Sequence, residues 1–260
     1  MELAAGPIIL CTAAAFIASA INAVAGGGTF LSFPVLTGVA SLSEKAANIT
    51  STIGLWPGAA SSVVAARADF HLIPRRQLIT YSLVSLLGAS LGAVLLRTTS
   101  SESFKIAIPW LLLIATLSFA FGKRLSTAAQ KLIRHSHGMP VLATFLQFLI
   151  AIYGGYFGAG IGVLMLAGLA ISGIENLRTA NALKVVLGTI INAVAVAIFI
   201  TSPDARWGLI LPMAIASIAG GFLGMKIARK MPQTALRVLI IAIGAILTCI
   251  YFTKILMPDA

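Results

Sequence analysis

Residues 22–34 read N-A-V-A-G-G-G-T-F-L-S-F-P, and residues 154–166 read G-G-Y-F-G-A-G-I-G-V-L-M-L. Each is a glycine cluster that ends one apolar run and opens a short second one, at about 29–40 and about 160–172. About 12 residues at about 1.5 Å rise give about 18 Å of helix, well short of the ~30 Å of bilayer hydrocarbon. Glycine accepts backbone angles that other residues avoid. Both stretches therefore predict a helix that breaks and restarts. A break frees N–H and C=O groups that lipid cannot satisfy, so it belongs inside protein or beside water.

Outward from these clusters, the two halves of the chain keep step. Lys45-Ala46-Ala47-Asn48 follows the first cluster and Arg178-Thr179-Ala180-Asn181 the second. Gly88-Ala89-Ser90-Leu91-Gly92 is matched by Gly220-Gly221-Phe222-Leu223-Gly224, and Arg97 by Arg229. Four landmarks in one order point to an internal duplication. The apolar runs fall at about 7–24, 29–40, 46–66, 77–96 and 104–122, then at about 140–157, 160–172, 178–201, 207–225 and 235–256. The expected organisation is a first repeat over 1–122, a basic cytoplasmic connecting loop over 123–139 and a second repeat over 140–260.

Composition names the solvent. Of 260 residues, 59% are hydrophobic and 10% charged, with a mean hydropathy of +1.02, whereas a soluble domain is about a quarter charged. The reading is an all-α integral membrane protein of about 8–10 transmembrane or half-membrane helices, multi-pass in the cell membrane. Glu2, with no basic cluster before the first apolar run, argues against a cleaved signal peptide. Cys11 and Cys249 lie in apolar runs and read as buried space-fillers rather than a disulfide or metal pair.

The charge of +11 comes from basic residues at the ends of apolar runs, so it reads as topology and lipid-headgroup contact rather than nucleic-acid binding. Lys123, Arg124, Lys131 and Arg134 place the central segment in the cytoplasm, and Arg67, Arg75 and Arg76 do the same for the segment before the fourth run. The segment after Arg97 is weakly charged, yet its counterpart holds Lys226, Arg229 and Lys230. The bias swaps sides between halves. That is the signature of inverted repeats, with five runs each and both termini outside.

Candidate site residues follow from the breaks and from polar residues within apolar runs. Short, glycine-interrupted segments at matching positions of two halves point to a transporter binding site. Gly26, Gly27, Gly28 and Thr29 in the first half, with Gly158 and Gly160 in the second, are expected to line a central cavity; close helix packing by small residues is the alternative. Asn22, Asn48, Ser51, Asn181 and Asn192 would supply hydrogen bonds, and Tyr156 either a bond or aromatic packing. Lys184 is a cation well inside an apolar run; it either binds a ligand or snorkels to the interface. The acidic residues Glu2, Glu44, Asp69, Glu102, Glu175, Asp204 and Asp259 all lie at run ends. A cavity with a lysine, asparagines and helix starts but no acid suits an anion.

Enzyme chemistry fits poorly. His71, His135 and His137 fall outside the runs, and no zincin or nucleotide motif is present. A Ser51–Lys184 dyad is the remaining catalytic alternative. No catalytic residue, metal site or cofactor is expected, and a homodimer is one option for the assembly.

The motifs carry a resemblance. A-F-I-A-S-A-I-N-A-V-A-G-G-G-T-F-L-S-F-P-V-L (Ala15 to Leu36) with K-A-A-N-I-T-S (Lys45 to Ser51) resembles the opening signature of the TauE/SafE family of membrane transporters. Y-G-G-Y-F-G-A-G-I-G-V-L (Tyr153 to Leu164) with R-T-A-N-A-L-K (Arg178 to Lys184) is similar to that family's second repeat. The resemblance implies a secondary transporter that exports sulfite or small organosulfur anions such as sulfoacetate by alternating access. An anion channel or an importer of similar anions are the alternatives. The positions that match its motifs are Gly26, Gly27, Gly28, Pro34, Asn48, Gly158, Gly160, Asn181 and Lys184; Ala159 departs where the first half has Gly27.

Overall fold

The computed structural model describes residues 5–133, 139–174, 176–227 and 233–256. Its helices are α1 (Ala5–Ala25), α2 (Thr29–Gly38), α3 (Glu44–Ala66), α4 (Arg75–Thr98), α5 (Ser101–Ile133), α6 (Pro140–Tyr156), α7 (Ile161–Ile171), α8 (Leu177–Phe199), α9 (Trp207–Ile227) and α10 (Gln233–Leu256), with a 3-10 turn at Arg67–Leu72 between α3 and α4. No strand occurs among the described residues. Among the described residues, six helices are long and apolar enough to cross a membrane: α1, α4, α8, and the apolar parts of α5, α9 and α10. Leucine, isoleucine and valine side chains such as Ile9, Leu83, Ile215 and Val238 point outward. In water that surface would be a liability; in lipid it is the solvated face. The chain is an all-α, multi-pass membrane protein.

Helix boundaries follow local chemistry. The Ser43 hydroxyl accepts the Ala46 amide at 3.4 Å to start α3, with Glu44 in the first turn, where a carboxylate suits the helix dipole. Asn176 Oδ1 accepts the amides of Arg178 at 2.8 Å and Thr179 at 3.4 Å and starts α8 in the same way. α2 and α7 are 10 and 11 residues long, so neither spans.

Two expectations are corrected. The segment 123–139 was read as a loop, but α5 continues to Ile133. Polarity ends the apolar run at Gly122; the alanine, leucine, lysine and glutamine that follow are good helix formers with no glycine or proline to stop them. Arg134, His135 and His137 lie outside the described residues, as do Glu2, Glu175, Arg229, Lys230 and Asp259. Cys11 is buried as expected, but Cys249 is exposed on the outer surface of α10.

The helix pairings exchange when the halves are swapped. α1 packs on α9 and α6 on α4; α1 packs on α2 and α6 on α7; α3 crosses α8, and α5 packs along α10. Glycines set the closest approaches. Gly220 sits on the Phe16 carbonyl and Gly224 on Ala20, while Gly88 sits on the Phe148 carbonyl and Gly92 on that of Ile152. The members of each matched pair of contacts differ by 132 residues. A Cβ at any of the four positions would collide with backbone, which is why small residues hold these places.

α3 and α8 cross at the centre. Trp56 Nε1 donates to the Thr189 carbonyl at 3.3 Å, and the Thr189 hydroxyl donates to the Ala59 carbonyl at 3.3 Å. α3 carries a run of buried polar residues from Asn48 to Ser51. It is shielded from lipid by its neighbours, which is the setting polar groups need at membrane depth.

Candidate functional site

The two glycine breaks meet. α1 ends at Gly26, whose φ of +76° turns the chain toward α2. α6 ends before Gly158 and Gly160, at φ +80° and +77°. Left-handed angles of this kind favour glycine. A Cβ on Gly26 would stand 2.6 Å from Gly162 Cα, so the breaks abut at their backbones. Ala159 lies between the two left-handed glycines, and its carbonyl accepts the Tyr153 hydroxyl at 2.8 Å. The second break is thus fastened by a side chain. Small-residue packing and a cavity wall, posed as alternatives, are here the same feature.

Between the breaks and the α3–α8 crossing lies a cavity of about 50 Å³. α1 and α2 contribute Asn22, Gly26 and Thr29; α3 contributes Ser51, Thr52 and Trp56. Gly158, Gly162 and Met165 line it from the second break and α7, and Lys184, Thr189 and Asn192 from α8. α2 and α7 both start on this wall. The Phe30, Leu31 and Val163 amides already donate to the Gly27, Gly28 and Gly160 carbonyls, which leaves the very first amides, those of Thr29, Ile161 and Gly162, without an intrahelical acceptor. Lys184 is 4% exposed. Its ammonium donates to the Val24 carbonyl at 3.1 Å. Lys45 pairs with Asp204, and Lys184 has no carboxylate partner among the described residues.

Thus Asn22, Gly26, Thr29, Ser51, Gly158, Lys184 and Asn192 share one cavity. The other candidates lie elsewhere. Gly27 faces Phe119 and Ile240, and Gly28 packs on the Ala18 carbonyl. Gly160 starts α7 and backs onto Ala115. Asn48 donates to the Tyr156 carbonyl at 3.0 Å, and the Tyr156 ring packs edge-on to Phe104. Asn181 lines a second, larger cavity of about 540 Å³ with Val24, Asp69, Arg178 and Lys226. This vestibule lies where α3 ends, lined by Ala65 and Ala66 and by Asp69 of the 3-10 turn, and Ala23 lines both cavities. Trp56 and Met165 were not expected in the site. An aromatic or a methionine inside an apolar run reads first as core, and only the crossing of α3 and α8 brings Trp56 to the cavity.

The dyad alternative loses its geometry. The Ser51 hydroxyl pairs with that of Ser32 at 2.6 Å. Lys184 binds a backbone carbonyl instead, and no hydrogen bond joins Ser51 to Lys184. No group of three or more potential metal ligands occurs among the described residues.

A buried cation beside two helix starts at the centre of a lipid-facing bundle is a setting suited to a membrane transport protein. The family model for the sulfite exporter TauE/SafE matches residues 11–251, and the chain belongs to that family. It is 29% identical over 251 residues to a "Probable membrane transporter protein" of Haemophilus influenzae, covering 93% of this chain and 92% of that one. It is 29% identical over 222 residues to "Probable membrane transporter protein ORF9" of a Sinorhizobium species, covering 84% and 80%. It is 24% identical over 241 residues to "Probable membrane transporter protein YfcA" of Escherichia coli, covering 90% and 85%. No solved structure matches. The chain is a membrane transporter, not an enzyme.

Proposed function

We propose that the chain carries a small sulfur oxyanion, sulfite or a short sulfonate, out of the cytoplasm by alternating access at the central cavity. The observation that carries this reading is Lys184, a buried cation whose partner among the described residues is a backbone carbonyl. A buried charge needs a counter-charge or several hydrogen bonds, and an anion in the cavity would supply both. The leading amides of α2 and α7 at Thr29, Ile161 and Gly162, the Ser51 hydroxyl and the Asn22 and Asn192 side-chain amides stand around the same space. A cavity of about 50 Å³ is room for roughly three to four water-sized probes. That size favours sulfite over sulfoacetate in this conformation.

The exchangeable helix pairings support two inverted repeats that rock about the crossing of α3 and α8. An inside-negative membrane drives an anion outward by about 2.3 kcal/mol per charge per 100 mV, so export needs no buried acid. The test is flux of labelled sulfite, sulfoacetate and a carboxylate control in proteoliposomes, with the potential clamped to either sign. Saturable, potential-dependent movement of sulfite is the expected result. Non-saturating flux would make the chain a channel. No sulfite movement by folded protein would sink the anion reading.

A further inference from the structure

We propose that Asn48 and Asn181 are reciprocal gate residues rather than anion ligands, and that the gate at Asn181 closes when an anion draws Lys184 off the Val24 carbonyl. This rests on the anion site proposed above and assigns its regulation.

The two ends of the bundle hold the same residues in opposite states. Asn48 and Asn181 are matched in K-A-A-N and R-T-A-N, and Tyr156 matches Val24 at the 132-residue offset of the glycine breaks. At one end Asn48 donates to the Tyr156 carbonyl at 3.0 Å and is 1% exposed. At the other end the matched pair is apart. Asn181 makes no hydrogen bond through its amide among the described residues, and it shares the wall of the vestibule with Val24.

A second matched pair carries the same asymmetry. Lys45 is buried and donates to the carbonyls of Arg97 at 3.1 Å and Thr99 at 2.7 Å, with the Asp204 carboxylate 3.8 Å away. Its counterpart Arg178 is exposed and lines the vestibule. Among the described residues, the Asn48 and Lys45 contacts that seal one end have no counterpart at Asn181 and Arg178.

What holds the open end open is visible at Val24. The carbonyl that Asn181 would use already accepts the Lys184 ammonium; the oxygen has a second lone pair, but an amide N–H brought to it would point its positive end at that charge. The two donors lie three residues apart, on one face of α8. A charge-assisted bond to an anion is stronger than one to a neutral carbonyl. An anion in the inner cavity therefore takes the ammonium, frees Val24 for Asn181, and shuts the vestibule behind itself. The position matching Lys184 in the first half is Ser51, which carries no charge. The gate at Asn48 thus has no such trigger. Its Oδ1 is buried with no hydrogen-bond partner. An unmet buried acceptor is a cost on the closed state, so that gate yields when the other closes.

The test uses the full chain in lipid nanodiscs, with sulfite as the probe. In a Trp110→Phe, Trp207→Phe background, Trp56 reports occupancy of the inner cavity, and hydrogen–deuterium exchange reports closure of the vestibule. Sulfite is expected to change Trp56 fluorescence and to slow exchange over 65–72 and 176–182 by about fivefold or more, as a closed segment would. In Asn181→Ala the Trp56 response should persist while the slowing is lost, and Asn181→Gln should restore part of it. Lys184→Met should slow exchange at the vestibule with no anion present, because Val24 is then free. Asn48→Ala should bias the chain the same way, opposite to Asn181→Ala. A Trp56 response with unchanged vestibule exchange would overturn the gate and leave the anion site standing. So would a fully protected Asn181→Ala. No Trp56 response in the otherwise native chain would overturn the anion site and the gate together.

Discussion

α3 and α8 occupy matching places in the two halves and cross at the centre of the bundle, yet they hand the cavity different chemistry. α3 presents Ser51, Thr52 and Trp56; α8 presents Lys184, Thr189 and Asn192. Both start with a side-chain cap, at Ser43 and Asn176. The shared features set where the helices lie. The difference, one ammonium opposite one hydroxyl, sets what the space between them can hold. Two lysines at this depth would repel each other in a medium that screens poorly. Two serines would leave no charge for an anion. In the proposed reading, geometry follows the repeat and ligand chemistry follows the departure from it.

The sharpest way to break the comparison is to remove the charge. Lys184→Ala is expected to cut sulfite flux by at least about 30-fold, since truncating one partner of a buried charged contact costs about 2–5 kcal/mol. Flux assayed on protein shown to be folded checks it, and unchanged transport would return Lys184 to a snorkelling role. Moving the charge is the next test. Ser51→Lys combined with Lys184→Ser is expected to restore sulfite binding to within about tenfold of native, because the cavity again holds one cation. Trp56 fluorescence reads that affinity.

A smaller effect is expected from Asn192→Ala. That amide already donates to the Gly188 carbonyl at 2.8 Å, so it offers the anion one neutral hydrogen bond, worth about 1 kcal/mol or roughly fivefold in affinity. The smallest effects on transport should come from the matched glycines. Gly88→Ala and Gly220→Ala each press a methyl into a facing backbone, which costs typically 1–3 kcal/mol of stability through overpacking. The two should lower thermal stability by similar amounts, because their contacts are equivalent. A clear inequality in melting temperature would show that the halves do not pack alike.

Much of the architecture was legible because it rests on local chemistry. Glycine clusters marked the breaks, and a cation inside an apolar run marked Lys184; the caps at Ser43 and Asn176 emerged only with the structure. Asn48 and Asn181 were equally legible as polar residues, but not their depth. Asn48 is buried while Asn181 lines the vestibule, a difference made by helix packing rather than by either sequence motif. Trp56 was hidden for a related reason, since a lone aromatic shows no partner until another helix crosses it. The length of α5 was missed because hydropathy reports solvent and helix propensity reports backbone; past Gly122 the two part company.

That long α5 has a practical consequence. At about 1.5 Å per residue, its 33 residues make a rod of about 50 Å against about 30 Å of hydrocarbon. Arg237 Nε and Nη2 donate to the Phe119 and Ala120 carbonyls at 2.7 and 2.8 Å, so the rod is clamped to α10 where its apolar stretch ends. In electron cryo-microscopy a 27.0 kDa chain sunk in a detergent belt offers little to align on. A helical scaffold fused in register with α5, or an antibody fragment raised against its projecting turns, would inherit that clamp and report the orientation of the whole bundle in each image.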